Sequence, residues 1–188
     1  MADIEDVMRF SQIRRLDISN GEAIGISLFT SGCPIHCKNC FNSELWSMTG
    51  GSKWTKKEQE IILDLLKPDH IRRFSVLGGE PLIERNIKPL IELITKIREL
   101  YGDKKKIWIW TGNLYENVSK LYPDLLKLID ILVDGPFVDE LKDANLKWRG
   151  SSNQRVIDIQ KTLKSGKVEL FVSKWDDDMT IKDLRVST

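Results

Sequence analysis

Cys33, Cys37 and Cys40 are the only cysteines in this 188-residue chain, and they fall in one C-x3-C-x2-C loop. Three thiols cannot pair off into disulfides without leaving one over. In a reducing compartment, cysteines grouped like this form a metal site or a catalytic thiol more often than a cross-link. Three thiolates on a short loop can converge on three corners of a cubane iron–sulfur cluster, whereas clusters that only pass electrons are usually held by four cysteines. With no fourth cysteine, one iron is left open. An open metal position lets a substrate or cofactor bind the metal directly, as it does in catalytic zinc sites.

Two other chemistries use the same residues. A Cys3His zinc site would recruit His36, but His36 adjoins Cys37, so its ring points away from a centre that the neighbouring thiolate faces. Zinc ligands also usually come as two pairs separated by a longer loop. A reactive thiol with a resolving partner leaves the third cysteine without a role.

The elements that must position this loop are legible from periodicity. Ala23 to Phe29 is a short apolar run that predicts a buried strand leading straight into the cysteines. Thr55-Lys56-Lys57-Glu58 is a capping box, and Ile61, Ile62, Leu65 and Leu66 continue at helical spacing, which predicts a helix from about Lys56 to Leu66 ahead of Pro68. Phe74 to Leu77 reads as a second strand ending at Gly78-Gly79. Leu90, Leu93, Ile94, Ile97 and Leu100 read as a helix up to Gly102. Ile107 to Trp110 (strand), Pro123 to Ile129 (helix) and Ile131 to Val133 (strand) repeat the alternation, and Val168 to Val172 reads as a last strand. Such a βα series builds a parallel sheet covered by helices, either doubly wound or barrel-like, with ligands at the carboxyl ends of the strands.

Composition narrows the partners. There are 29 Lys and Arg against 28 Asp and Glu, a formal charge of +1, so no broad basic face for nucleic acid or an anionic membrane is expected. No apolar run approaches the roughly 18 residues of a membrane span, and the opening MADIEDVMRF has no targeting pattern, so a cytoplasmic protein is expected. The length suits one domain over 1–188, with a core from about 18 to 160 and a peripheral polar tail after Lys174. Lys104-Lys105-Lys106 reads as a solvated turn.

Several motifs then resemble a known family. The cysteine loop, Phe41-Asn42 and Trp46 beyond it, and Gly78-Gly79-Glu80-Pro81 resemble radical S-adenosylmethionine activating enzymes. More narrowly, the chain resembles the activating proteins of the anaerobic (class III) ribonucleoside-triphosphate reductase. That match rests on Ile107-Trp108-Ile109-Trp110-Thr111-Gly112, on Val133-Asp134-Gly135 and on Trp148-Arg149-Gly150-Ser151-Ser152-Asn153-Gln154-Arg155, in that order. It runs from about Ile18 to Val156.

The resemblance implies an α/β fold with a partial (βα) barrel of the radical S-adenosylmethionine type. It implies a 4Fe-4S cluster on Cys33, Cys37 and Cys40, with S-adenosylmethionine chelating the fourth iron. Glu80 would accept from the cofactor's cationic amino group, a charge-assisted bond of the stronger kind, and Gly78 and Gly79 would let the backbone come close. Phe41 and the Asn39 to Cys40 backbone would lie against the adenine, and Thr111, Asp134 and Asn153 would contact the methionine or ribose. The Arg149 loop would lie near the open mouth.

The implied reaction, an oxidoreductase activity, generates a glycyl radical on the anaerobic ribonucleoside-triphosphate reductase, fed by a flavodoxin or ferredoxin-type electron donor. An activator of a pyruvate formate-lyase-like enzyme would share the chemistry, and a zinc-binding interaction module is the reading from another class. Three places depart from the pattern: Asn39 stands where many of these proteins have an aromatic residue, Pro136 where related activases often carry lysine, and the first loop has Gly21, Glu22 and Gly25 without the basic residue often seen there.

Overall fold

A computed structural model describes residues 7–173. Its strands are β1 (Arg9–Asp17), β2 (Gly25–Thr30), β3 (Ser52–Lys53), β4 (Arg73–Gly78), β5 (Lys106–Trp110), β6 (Ile131–Asp134) and β7 (Arg155–Asp158). Its helices are α1 (Lys56–Leu65), α2 (Glu84–Tyr101), α3 (Tyr115–Leu121), α4 (Pro123–Leu128) and α5 (Ile159–Ser165). The strands form one mixed sheet in the order β3-β1-β2-β4-β5-β6-β7. β2, β4, β5 and β6 run parallel and are joined in succession by helical crossovers, while β1 and β7 pair antiparallel at the flanks.

Side-chain alternation divides the sheet into two faces. Ile26, Leu28, Phe74, Val76, Ile107, Ile109 and Leu132 lie in one buried cluster with Ile62, Leu90, Leu93, Ile94, Ile97, Leu125 and Leu126 of the helices. The alternate residues Phe29, Leu77, Trp108, Ile131 and Val133 form smaller clusters with Trp110, Trp148 and Phe171 on the other face. α1 begins on the expected capping box: Thr55 accepts from Lys57 N at 3.2 Å, and Glu58 accepts from Thr55 N at 3.0 Å. α2 ends at Gly102, whose φ of +54° suits a residue without a side chain.

Four expectations need correction, one of them the solvated turn at Lys104-Lys105-Lys106: Lys105 is buried, its ammonium donating to Pro68 O (2.9 Å) and Ile71 O (2.6 Å), and Lys106 opens β5. The first strand starts at Gly25, not Ala23, because Ala23 is left-handed (φ +65°) and its carbonyl accepts from Arg73. Residues 168–172 do not form a named strand; Leu170 makes a single bridge to Ile157. β1, β7, α3 and α5 were not expected. The tail after Lys174 lies outside the described residues.

A buried ion pair organises the end of the sheet away from the cysteines. Arg73, fully buried at the start of β4, reaches Asp17 Oδ1 at 3.2 Å, and both side chains are out of solvent. It also donates to the carbonyls of Asp17 (2.8 Å), Asn20, Glu22 (3.2 Å) and Ala23 and to the Ser75 hydroxyl, so one guanidinium shapes the whole β1–β2 loop. Burial works to raise the Asp17 carboxyl, yet hydrogen bonds from Asn20 and Ser19 outweigh it and hold it at about 2. Among the described residues, no helix is long and apolar enough to cross a membrane.

Candidate functional site

β2 ends at Thr30 and the chain turns into the cysteine loop, which is folded back on the 3-10 turn Ser43–Leu45. Gly32 N donates to Leu45 O (2.8 Å) and Cys33 N to Trp46 O (3.1 Å). Left-handed His36 (φ +52°) and Asn39 (φ +55°) curl the segment between them, with Cys40 N donating to Cys37 O at 3.2 Å. The Asn42 amide N–H points at Cys40 Sγ (3.4 Å), and its side chain donates to Gly78 O (3.3 Å). The glycines after β4 cross directly against this loop: Glu80 N donates to Gly32 O at 2.8 Å, and a Cβ on Gly79 would stand 2.5 Å from that same oxygen. Only glycine allows the two backbones to meet there.

Glu80 is 2 % exposed. Its Oε1 accepts from Leu82 N (2.8 Å) and the Thr111 hydroxyl (2.7 Å), and its Oε2 accepts from Gly112 N (2.8 Å). Burial pushes this carboxyl up, against the pull of those three donors. A carboxylate offers about four acceptor positions, so roughly one remains for a further donor. Burial also pushes the Cys33 thiol up, against backbone hydrogen bonds from Ile35 and His36.

The three thiols, Gly78, Gly79, Glu80 and Thr111 line one cavity of about 140 Å³ at the carboxyl ends of β2, β4 and β5. Four other expected residues lie outside that lining. The Asn39 side chain donates to Asp139 (2.6 Å), and Phe41, 66 % exposed, rests edge-on against Phe137. Asp134 is buried but committed, accepting from Tyr115 N at 2.8 Å and pairing with Arg155, while Asn153 donates to Pro136 O at 2.8 Å. The lining adds Ile35, Asn42, Leu77, Trp110, Gly112, Gly135, Phe137 and Gln154. Trp110, Gly112, Gly135 and Gln154 stand inside the motifs quoted above, and that position was their only signal; Phe137 had none.

The donor set can be tested against a metal. All three cysteines are free thiols. Among the described residues, no three His, Cys, Asp or Glu side chains gather around a point where one ion could sit, and the His36 ring is stacked on Trp46 at 4.6 Å. Three thiols spread around one cavity suit a cluster that presents a separate iron to each of them better than they suit a single ion. A larger cavity, about 580 Å³, opens at the opposite end of the sheet beside Arg72, Lys106, Trp108, Ile131 and Phe171. It has no thiol. Of its four carboxylates, Asp130 is taken by Arg98 (2.6 Å) and Lys106 (2.9 Å), Asp158 by the first turn of α5 and Glu22 by the Ser173 hydroxyl (2.6 Å), while Asp103 lies exposed 3.7 Å from Arg98, so this cavity lacks the donor set that the cysteine cavity has.

Comparison with known proteins agrees. A family model described as a 4Fe-4S single cluster domain matches residues 19–157. The anaerobic ribonucleoside-triphosphate reductase-activating protein of Escherichia coli (strain K12) is 39 % identical over 152 residues, covering 79 % of this chain and 97 % of that protein. The protein of the same name from Vibrio cholerae is 36 % identical over 149 residues (78 % and 96 %), and that of Enterobacteria phage T4 is 30 % identical over 149 residues (79 % and 93 %). With the matched region spanning every residue of the cysteine cavity, the chain belongs to the 4Fe-4S single cluster domain family, among the anaerobic ribonucleoside-triphosphate reductase-activating proteins.

Proposed function

We propose that this chain is an activase that reductively cleaves S-adenosylmethionine at a 4Fe-4S cluster held by Cys33, Cys37 and Cys40, and so generates a glycyl radical on an anaerobic ribonucleoside-triphosphate reductase. The observation that carries the reading is the meeting of three free thiols, the Gly78–Glu80 turn and Thr111 on one cavity at the ends of parallel strands. When bound, the reduced cluster supplies one electron to the sulfonium, breaking a carbon–sulfur bond to give methionine and a carbon radical that takes hydrogen from the partner's glycine.

The chain's own residues bind, orient and exclude water. Gly78 and Gly79 admit a ligand against bare backbone, Glu80 accepts from its ammonium group, and Ile35, Leu77, Trp110 and Phe137 supply apolar wall. Asn39, Phe41, Asp134 and Asn153 act from outside the lining. Asp134 holds the start of α3 and Arg155 in place, which sets the β6 loop. The sheet, with its helices against one face, is the wall of a partial barrel in this reading, in a single domain of a cytoplasmic protein. The donor is a flavodoxin or ferredoxin-type protein.

The test is anaerobic. The reconstituted protein is mixed with reductant and S-adenosylmethionine, together with either an anaerobic ribonucleotide reductase or a pyruvate formate-lyase, and the electron spin resonance spectrum is recorded. A glycyl radical on the reductase is expected; one formed only on the lyase would sink the assignment of partner.

The bonding of Glu80 sharpens a second expectation. In Glu80→Gln one oxygen becomes an NH2 group that must face either Gly112 N or the Leu82 and Thr111 donors. The variant should therefore lose about 1–3 kcal/mol of stability even without ligand, in addition to a roughly ten- to hundredfold weaker hold on S-adenosylmethionine, with the cluster retained. Thermal denaturation of the cluster-free protein and equilibrium binding to the loaded one measure the two effects separately. Unchanged affinity would show that the carboxylate faces no cationic group.

A further inference from the structure

The loops around the cysteine cavity are tied to one another in a closed ring, although the sheet beneath them is open. The cysteine loop meets the β4 loop through Glu80 N on Gly32 O (2.8 Å) and Asn42 on Gly78 O (3.3 Å). The β4 loop meets the β5 loop through Glu80, buried on Thr111 and Gly112 N. The β5 loop meets the β6 loop through Gly135 N on Asn113 O (3.1 Å). The ring then closes between β6 and β2, strands that do not pair with each other. There Lys38 Nζ stands 2.8 Å from Glu140, Asn39 donates to Asp139 at 2.6 Å, Phe41 packs edge-on against Phe137 at 5.6 Å, and the Lys142 ammonium lies 4.9 Å from the Phe41 ring centroid.

These ties differ in kind. The first three use backbone groups, and the Glu80 bonds are buried, where an unmade bond is penalised heavily. The last is made by side chains alone: those of Lys38 and Glu140 are 71 % and 67 % exposed, while that of Asp139, which holds Asn39, is 24 % exposed. Exposed pairs contribute little and are screened by salt. The base of the β6–β7 arm is held more firmly, because Gln154 accepts from Gly150 N (2.9 Å) and Ser151 N (3.2 Å) and donates to Gly135 O (2.9 Å). The ring is therefore weakest at one seam, with an anchored base beside it.

We propose that residues 136–142 form a strap over the tip of the cysteine loop, and that the ring opens at the Lys38–Glu140 and Asn39–Asp139 seam to admit an extended segment of a protein partner. Opening frees the Lys38 ammonium and the Asn39 amide from two carboxylates and parts the Phe41 ring, already 66 % exposed, from Phe137. The segment that fits presents carboxylate or carbonyl acceptors and one apolar side chain. The seam itself rests on the geometry alone; the entry of a partner there rests on the proposed activase function.

The two parts are tested separately. In the full-length protein without its cluster, hydrogen exchange of amides 36–41 should rise about two- to fivefold in Glu140→Lys and in Lys38→Glu, the range an exposed ion pair implies. It should return to the starting value in the swapped double variant, while the amides of Leu82 and Gly112 stay unchanged throughout. Unaltered exchange in both single variants, or no recovery in the swap, overturns the seam. With cluster, reductant and reductase present, the single variants should consume more S-adenosylmethionine per glycyl radical formed, and the swap should restore the ratio. An unchanged ratio overturns entry at the seam. A wild-type protein that cleaves no S-adenosylmethionine overturns the activase function instead, and the exchange result still stands.

Discussion

Anaerobically reconstituted protein is expected to bind about four irons per chain, and Cys33→Ala, Cys37→Ala or Cys40→Ala should each abolish stable cluster binding. The loss should be near complete because no spare ligand is at hand. The chain has no fourth cysteine, and His36, whose ring lies against Trp46, is not part of the cavity lining. His36→Ala should consequently leave the iron content unchanged. Alanine at Cys37 or Cys40 should do little to the apoprotein, since both are only partly buried and the loop is held by backbone bonds to Leu45 and Trp46. Iron and sulfide counts with a visible spectrum decide the matter. Wild-type protein that keeps one tightly bound zinc and takes up no iron would overturn the cluster assignment.

Arg73→Met should destabilise the fold by about 3–5 kcal/mol, because it takes one of two arginine partners from the buried Asp17 carboxylate, leaving it Arg14, and leaves the carbonyls of Asp17, Asn20, Glu22 and Ala23 without that donor. Against a typical total of roughly 5–15 kcal/mol, that is a large share. Arg73→Lys keeps the charge but not the fork, so it should fall between. Urea denaturation of the cluster-free protein gives both values. A midpoint for Arg73→Met within about 1 kcal/mol of wild type would mean that the loop is held by other contacts, and the description of Arg73 as its organiser would fail.

Much of the parallel half of this fold is written locally. Thr55 with Glu58 starts α1, apolar spacing marks α2, and short apolar runs mark β4, β5 and β6. The antiparallel flanks are not. β1 reads RFSQIRRLD, with no clean alternation and two register shifts, and it becomes a strand only because β2 is beside it. β7 is four residues long and α3 seven, too short for a period to declare itself. Ala23 belongs to a loop because an arginine 50 residues later takes its carbonyl.

The site divides in the same way. The cysteines follow from type and spacing; Gly78, Gly79, Glu80 and Thr111 follow from the resemblance, whose motifs each end a strand. The tasks of Asn39 and Asp134 depend on Asp139 and Arg155, partners 100 and 21 residues away, and no local pattern announces them.

The two ends of the sheet are unequally tolerant of rebuilding. At one end every loop is tied to its neighbours; at the other, the turn at Gly102–Lys104 between α2 and β5 is exposed. A spectroscopic label, a surface tether or a fused module spliced into that turn sits across the sheet from the cysteines and leaves the ring of loops untouched. The protein can thus be immobilised or tagged for anaerobic handling from the far side of its own sheet, with the cavity mouth facing free solution.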